Sequence, residues 1–162
     1  MKFFVEIIFA LITGLLFTSC ADMQAAPPSS LTFDSVYTAP GIKKDSLYDG
    51  VKTWIAETFK SSKSVIELDD KANGNIIGNG VLDDITCGQT CMGKPHDVSF
   101  TMKVDIKDEK FRLSFSNIVD WAGTTNEGVP WISDINGIRS ELLAFGPSID
   151  SSLSQQKAKS NW

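Results

Sequence analysis

The most regular pattern of apolar and polar residues lies between positions 98 and 116. Apolar side chains occupy every second position from Val98 to Ile106, and they do so again from Phe111 to Phe115. The polar segment KDEK joins the two runs. An alternation of period two places the apolar side chains on one side of a strand. The stretch therefore predicts an antiparallel hairpin with one buried and one solvated face.

Helical spacing marks two other regions. Between residues 45 and 60, apolar residues recur three and four positions apart, and Ser46 followed by Asp49 resembles a capping box. The same spacing runs from Ile138 to Leu153, where the Gly-Pro pair at 146 and 147 interrupts it. We therefore expect one helix over 45–60 and, near the C-terminus, two short helices or one kinked helix.

Shorter apolar runs complete the predicted order of elements. Residues 31–39 and 64–68 read as strands, and the turn signal Asn73-Gly74 leads into a further strand over 75–85. Gly78 and Gly80 within that strand suggest a bulge or the close approach of another element. The resulting order is β-α-β-β-β-β-α, which predicts an α+β domain with an antiparallel sheet and helices packed on one face.

The composition fits a single globular domain and excludes one class of partner. The chain has 162 residues, of which 42% are apolar and 22% charged, and its formal net charge is −5. Nucleic-acid binding requires clustered Lys and Arg that replace the counterions of the phosphates. An acidic chain without a basic cluster argues against it, so no nucleic-acid partner is expected.

The N-terminus predicts export and lipid anchoring. An apolar run follows Lys2 and is shorter than the ~20 residues that a membrane-spanning helix needs, which is typical of a secretory signal. It ends in Phe-Thr-Ser-Cys at 17–20, which resembles a lipobox and makes Cys20 the expected lipidation site. The alternative is ordinary cleavage after Ala26, although Pro27 would then follow the cut.

Domain boundaries follow from this assignment. We expect a signal peptide over 1–19, a tether over 20–30 that is rich in small residues, Pro and Ser, one domain over 31–158 and a polar tail over 159–162. The mature protein would lie in the cell envelope, facing the periplasm or the cell surface, and be held on its membrane by acyl chains at Cys20.

Residues 41–80 also resemble a known family. The segment contains Gly41, Asp45, Tyr48, Trp54 and Gly74. Together with the alternation at 98–115, its sequence is similar to the domain of unknown function 4468 of Bacteroidota envelope proteins. The resemblance covers roughly 33–119 and implies a TBP-like fold. It implies no activity, because no catalytic or binding residues are assigned to that family.

The segment ITCGQTCMGKPHDV at 85–98 is the main candidate for chemistry. Cys87, Cys91 and His96 could hold zinc with a nearby aspartate, but this spacing is not that of a standard finger or ribbon. A thiol-disulfide exchange pair would normally be separated by two residues rather than three. Because export places the thiols in an oxidising compartment, we favour a structural disulfide between Cys87 and Cys91, and we expect no metal and no cofactor.

Four further residues are candidates for binding a partner. Trp121 and Trp131 lie in a long polar loop, and Trp is enriched at interaction hot spots, although both could instead cover the core. Lys103 and Arg112 point to the solvated face of the predicted hairpin. The favoured function is a lipid-anchored envelope module that binds a protein or a small molecule. The alternative is a metal-dependent or hydrolytic enzyme centred on Cys87, Cys91 and His96.

Overall fold

A five-stranded antiparallel sheet with strand order β1-β5-β4-β3-β2 forms the frame of the molecule. The computed structural model describes residues 24–59, 65–86, 95–120 and 128–159. Within them the strands and helices are, in chain order, β1 (Phe33–Thr38), α1 (Lys44–Thr58), β2 (Val65–Asp70), β3 (Asn75–Thr86), β4 (Pro95–Lys107), β5 (Lys110–Asp120), α2 (Ile132–Leu143) and α3 (Phe145–Lys159). The predicted order is confirmed, and the C-terminal helix is divided into two.

The predicted hairpin of β4 and β5 is the centre of the sheet. The two strands pair from Val98 opposite Asp120 to Lys107 opposite Lys110, with one shift of register after Ser99. The alternating apolar side chains of both strands, such as Val104 and Leu113, are fully buried. The period-two pattern is confirmed, since these side chains form the floor of the hydrophobic core.

The hairpin of β2 and β3 also follows the sequence signal. Gly74 has a φ of +70° at the turn, a conformation that glycine adopts without steric cost. A bulge lies in β2 between Ile66 and Leu68, opposite the part of β3 that contains Gly78. The predicted close approach is found at Gly80, where a Cβ would stand 2.4 Å from the Phe100 ring.

Helix α1 begins differently from the expectation. The residue before its first turn is Lys43, and Ser46 makes no capping contact. The backbone N–H of Lys44 instead donates to the carboxylate of Asp108, at 2.8 Å, in the turn between β4 and β5. The predicted capping box is therefore wrong, because a side chain from a distant turn takes its place.

The C-terminal region forms two helices that meet at Ala144. Gly146 and Pro147 lie in the first turn of α3, where proline is tolerated, so the break precedes them. Phe145 at the break stacks against a cluster of buried rings, with ring centroids 5.3–6.0 Å apart. The Tyr37 hydroxyl also donates to the carbonyl of Leu143 at 2.9 Å. These contacts hold both helices on the same face of the sheet as α1.

The segment before β1 is attached to the domain. The N–H of Ala26 donates to the carbonyl of Pro130 at 2.8 Å, and the N–H of Ile132 donates to the carbonyl of Gln24 at 2.9 Å. Ala26 is buried, and a single turn of 3-10 helix follows at Pro28–Ser30. Residues 24–26, which fall within the predicted tether, therefore pack against the start of α2.

Candidate functional site

The side of the sheet opposite the helices is the largest candidate surface. We call it the open face, because none of the helices in the described part of the chain covers it. Its side chains come from all five strands and alternate with the buried ones. They are Asp34, Val36, Thr38, Glu67, Leu68, Asp70, Asn75, Ile77, Asn79, Val81, Ser99, Thr101, Lys103, Asp105, Arg112, Ser114, Ser116, Asn117 and Val119.

Asp105 organises the charged part of the open face. Lys103 Nζ lies 2.9 Å from one carboxylate oxygen of Asp105, and Arg112 Nη2 lies 2.9 Å from the other. Partial burial raises the pKa of Asp105, but the hydrogen bonds from Lys103 and Arg112 outweigh it, so the pKa lies below its usual range. The structure thus brings the predicted binding residues Lys103 and Arg112 together around one carboxylate, which leaves one net positive charge.

Amide and hydroxyl side chains form a second group on the open face. Asn79 donates to the Glu67 carboxylate at 2.6 Å, and the Thr101 hydroxyl donates to the Asn79 carbonyl oxygen at 2.8 Å. Asn117 in turn donates to the Thr101 hydroxyl at 3.2 Å. This chain of hydrogen bonds crosses from β2 to β5 and orients its polar side chains before any partner binds.

Aliphatic side chains also point outward on this face. Val36 is 58% exposed and Leu68 is 42% exposed. Ile77, Val81 and Val119 share the same side of the sheet and are only half-buried. Sequence reasoning missed these residues because it assigned a solvated face only to the hairpin over 98–116. The signal was present, since Ile76-Ile77, Val81-Leu82 and Ile118-Val119 are adjacent apolar pairs, and neighbours in a strand point to opposite faces.

Two small depressions accompany the sheet. One, of about 220 Å³, lies on the open face beside Arg112 and is lined by Val36, Asp105, Lys107 and Lys110. The other, of about 110 Å³, lies between the end of α1 and the β2 edge, where Gly78 and Gly80 contribute no side chains. Each is smaller than the 300–1,000 Å³ of a typical ligand site. Two wider depressions, of about 390 and 530 Å³, border Lys43 at the start of α1, and charged residues line the larger one. The open face is the more extended candidate surface.

A second charged cluster joins α1 to β2 away from the open face. The Tyr48 hydroxyl and the Lys52 ammonium group both donate to the carboxylate of Asp69. The hydrogen bond from Lys52, followed by that from Tyr48, lowers the pKa of Asp69. Burial, and then the carboxylate of Asp69, raises the pKa of Tyr48. Because these groups satisfy one another and link a helix to an edge strand, the cluster has a structural role.

The predicted chemical segment is described only in part. Cys20, Cys87, Cys91 and Trp121 lie outside the described residues, so lipidation at Cys20 and a disulfide between the other two cysteines stay predictions. His96 belongs to β4, where its backbone pairs with Ile85. Within the described ranges, no three His, Cys, Asp or Glu side chains converge as metal ligands.

Trp131 is half-buried and precedes the first turn of α2. It forms a backbone bridge to Ala25. It therefore lies at one end of the sheet, apart from Lys103 and Arg112. Among the described helices, none is long and apolar enough to span a bilayer.

Comparison with known proteins identifies the fold. No curated protein sequence matches the chain. A solved DUF4468 family protein from Bacteroides ovatus ATCC 8483 superimposes with a TM-score of 0.55 and 15% identity, covering 80% of this chain and 88% of the other. A TBP-like protein from Parabacteroides distasonis ATCC 8503 gives 0.54 and 10%, covering 81% and 95%.

The family model "Domain of unknown function (DUF4468) with TBP-like fold" matches residues 33–120, which run from the start of β1 to the end of β5. This range is more than half of the chain and includes the whole sheet with α1. The predicted α+β, TBP-like architecture is confirmed. The chain belongs to the DUF4468 family of TBP-like domains.

Proposed function

We propose that this protein is a lipid-anchored module of the cell envelope that binds a protein partner through the open face. The observation that carries the proposal is the mixed character of that face. Oriented polar groups stand beside outward aliphatic side chains on all the strands except β4. Protein interaction surfaces combine apolar and polar side chains in this way.

The size of the face suits a macromolecular partner. Five strands of 6 to 13 residues, at about 3.3 Å per residue and spaced about 4.8 Å apart, give a geometric area of about 760 Å². Each partner contributes about 800 Å² to an interface of standard size. A flat surface of this extent fits a folded protein better than a small molecule, which requires a concave site.

The charges on the face define what the partner must offer. Arg112 has a side chain that is half-exposed, and its planar guanidinium retains donors that Asp105 does not use. Lys103 is similarly accessible. A partner with a carboxylate next to an apolar residue would complement Arg112 and the neighbouring Val36.

The proposed anchor is Cys20. The segment 17–20 resembles a lipobox, and an apolar run of signal-peptide length precedes it. Two or more acyl chains anchor a protein stably, whereas one does so only marginally. The domain would then meet envelope proteins while its own surface stays free for binding.

Site-specific photocrosslinking in the producing cells tests the binding proposal. A photoreactive phenylalanine analogue replaces Ser114 on the open face, and a matched variant replaces Ser151 on the exposed side of α3. We expect a discrete adduct from position 114 that is absent from position 151. The adduct should weaken when Lys103→Glu and Arg112→Glu are added, because the net positive charge of the cluster of Lys103, Asp105 and Arg112 is then reversed.

Two results would refute binding through the open face. One is the same adducts from both positions, and the other is no adduct at position 114 in a protein that circular dichroism shows to be folded. An adduct insensitive to Lys103→Glu and Arg112→Glu would place recognition on the aliphatic residues instead of the charged ones.

A further inference from the structure

The chain is fixed to the domain very soon after the proposed anchor. Gln24 accepts a hydrogen bond from the Ile132 N–H at 2.9 Å, and Ala26 donates one to Pro130 at 2.8 Å. Only residues 21–23 separate Cys20 from Gln24. Even a fully extended chain advances at most 3.6 Å per residue, so Cys20 lies within about 14 Å of Gln24.

The attachment point lies at a defined end of the sheet. The N–H of Asp120, at the end of β5, donates to the carbonyl of Gly128 at 2.9 Å, and the chain then passes directly to Pro130 and Trp131. The opposite end of β5 is the turn at 107–110. Since β5 has 11 residues at about 3.3 Å each, that turn lies roughly 33 Å from the attachment point.

The residues next to the attachment point carry no exposed charge, although Asp83 at the end of β3 and Asp97 at the start of β4 are charged residues at the same end of the sheet. Around the attachment point, the exposed side chains of 24–25 and of the first turns of α2 are all uncharged, namely Gln24, Ala25, Ile132, Ser133, Asn136 and Gly137. Ile132 is 36% exposed, and Trp131 beside it is half-buried. The opposite turn consists of the four exposed, charged residues Lys107, Asp108, Glu109 and Lys110.

We infer that the surface formed by residues 24–25 and 131–137 faces the lipid headgroups, so that the sheet extends away from the bilayer with the turn at 107–110 farthest from it. This inference rests on the lipidation of Cys20 given under the proposed function. The linker from Cys20 to Gln24 is shorter than half the length of the sheet, so it keeps the attachment end near the lipid. Uncharged residues can rest against headgroups without the cost of desolvating a charge, and Trp suits the membrane interface.

This orientation has a consequence for binding. The open face runs along the length of the strands, from the attachment end to the turn at 107–110. The open face would therefore be roughly perpendicular to the plane of the bilayer, so that lipid does not cover it. A partner could reach Arg112 and Lys103, near the distal turn, without displacing lipid.

The inference can be tested with the acylated protein in nanodiscs that contain a lipid with a gadolinium-chelating headgroup. Intact mass first establishes whether Cys20 carries acyl chains. NMR then compares the amide signals of Ala25, Ile132 and Ser133 with those of Asp108 and Glu109. We expect loss of intensity at the first group and retention at the second. A matched variant carries a long Gly/Ser insertion between Met23 and Gln24, and its signals should recover at the first group.

Each outcome bears on a different part of the proposal. Acylated protein with equal loss at both ends, or with loss mainly at 108 and 109, would overturn the orientation while leaving the anchor intact. The same loss of intensity in the insertion variant would also overturn the orientation, because the short linker from Cys20 to Gln24 would then not set it. A mass without acyl chains on Cys20 would overturn both the anchor and the orientation.

Discussion

At the scale of single residues, Gly80 shows how a missing side chain shapes the core. A Cβ at this position would stand 2.4 and 2.9 Å from ring atoms of Phe100, which is itself buried among other aromatic rings. We predict that Gly80→Ala lowers the free energy of unfolding by about 1–3 kcal/mol, the usual cost of overpacking a core. Urea denaturation measures it.

Gly137 provides the matched control for that substitution. It lies in α2, is exposed, and has no atom within 4 Å of an added Cβ. Gly137→Ala should therefore stabilise the protein by about 0.5–1 kcal/mol through helix propensity. Equal effects of the two substitutions would mean that the Phe100 ring does not occupy the space beside Gly80.

The cluster around Asp69 predicts a pH effect of known sign. Lys52 and Tyr48 both donate to Asp69 and lower its pKa in the folded protein. A carboxyl whose folded pKa is depressed stabilises the protein above its unfolded pKa of about 3.9, and this contribution is lost as the pH falls through the folded pKa. Tyr48→Phe removes one donor, so the pKa of Asp69 should rise.

An NMR titration of the Asp69 carboxyl carbon measures this change. The stability difference between wild type and Tyr48→Phe should be present at neutral pH and shrink as the pH falls through the folded pKa of Asp69. Tyr37→Phe is the control, because that hydroxyl donates to a backbone carbonyl. An Asp69 titration that is the same in wild type and Tyr48→Phe would disprove the role of the hydroxyl.

At the scale of elements, the start of α1 depends on a side chain from another hairpin. Asp108 accepts the N–H of Lys44 at 2.8 Å, which satisfies one of the free donors of the first helical turn. We predict that Asp108→Ala lowers the free energy of unfolding by about 1 kcal/mol, as for the loss of other N-terminal caps. Thermal or urea denaturation measures it.

Asp108→Asn separates the cap from the charge. The amide keeps an acceptor oxygen but loses the weak ion pair with Lys43, whose atoms lie 3.8 Å apart and are well exposed. Most of the stability should therefore be retained. If Asp108→Asn and Asp108→Ala were equally destabilised, the charge and not the hydrogen bond would be the important contribution.

The elements differ in how well their sequence predicts them. The hairpin of β4 and β5 could be predicted because each strand carries a complete period-two pattern and their partner is the next element along the chain. The cap of α1 could not, because Asp108 is 64 residues away from Lys44. The local pair Ser46 and Asp49 resembles a capping box, but the tertiary hydrogen bond from the Lys44 N–H to Asp108 forms instead. The break near Ala144 was predicted within two residues, since Gly-Pro marks the first turn of the second helix.

The candidate site was predictable only in part. The alternation along β4 and β5 predicted that Lys103 and Arg112 share a face, and they do. It could not predict that Asp105 stands between them, because pairing across strands depends on register. The outward aliphatic residues, such as Ile77 and Val81, were missed because no outer face was assigned for the strand over 75–85. Adjacent apolar pairs were the signal that β3 presents apolar residues on both sides.

At the scale of the whole molecule, three features combine into one account. The helices cover one side of the sheet, the open face remains accessible, and residues 24–26 attach the N-terminal segment at one end of the sheet. A short link to an acylated cysteine would hold such a domain at the membrane while leaving a flat surface for a partner. Family membership and fold do not depend on the proposed anchor or on the proposed binding face.

The intact mass of the protein extracted from the membranes of its own cells, measured with and without reductant, tests the lipid anchor most directly. We expect a chain that begins at Cys20 and carries acyl chains on that residue, and a gain of two hydrogens on reduction as Cys87 and Cys91 are released from a disulfide. A chain recovered without acyl chains, or one cleaved after Ala26, would contradict the lipid anchor.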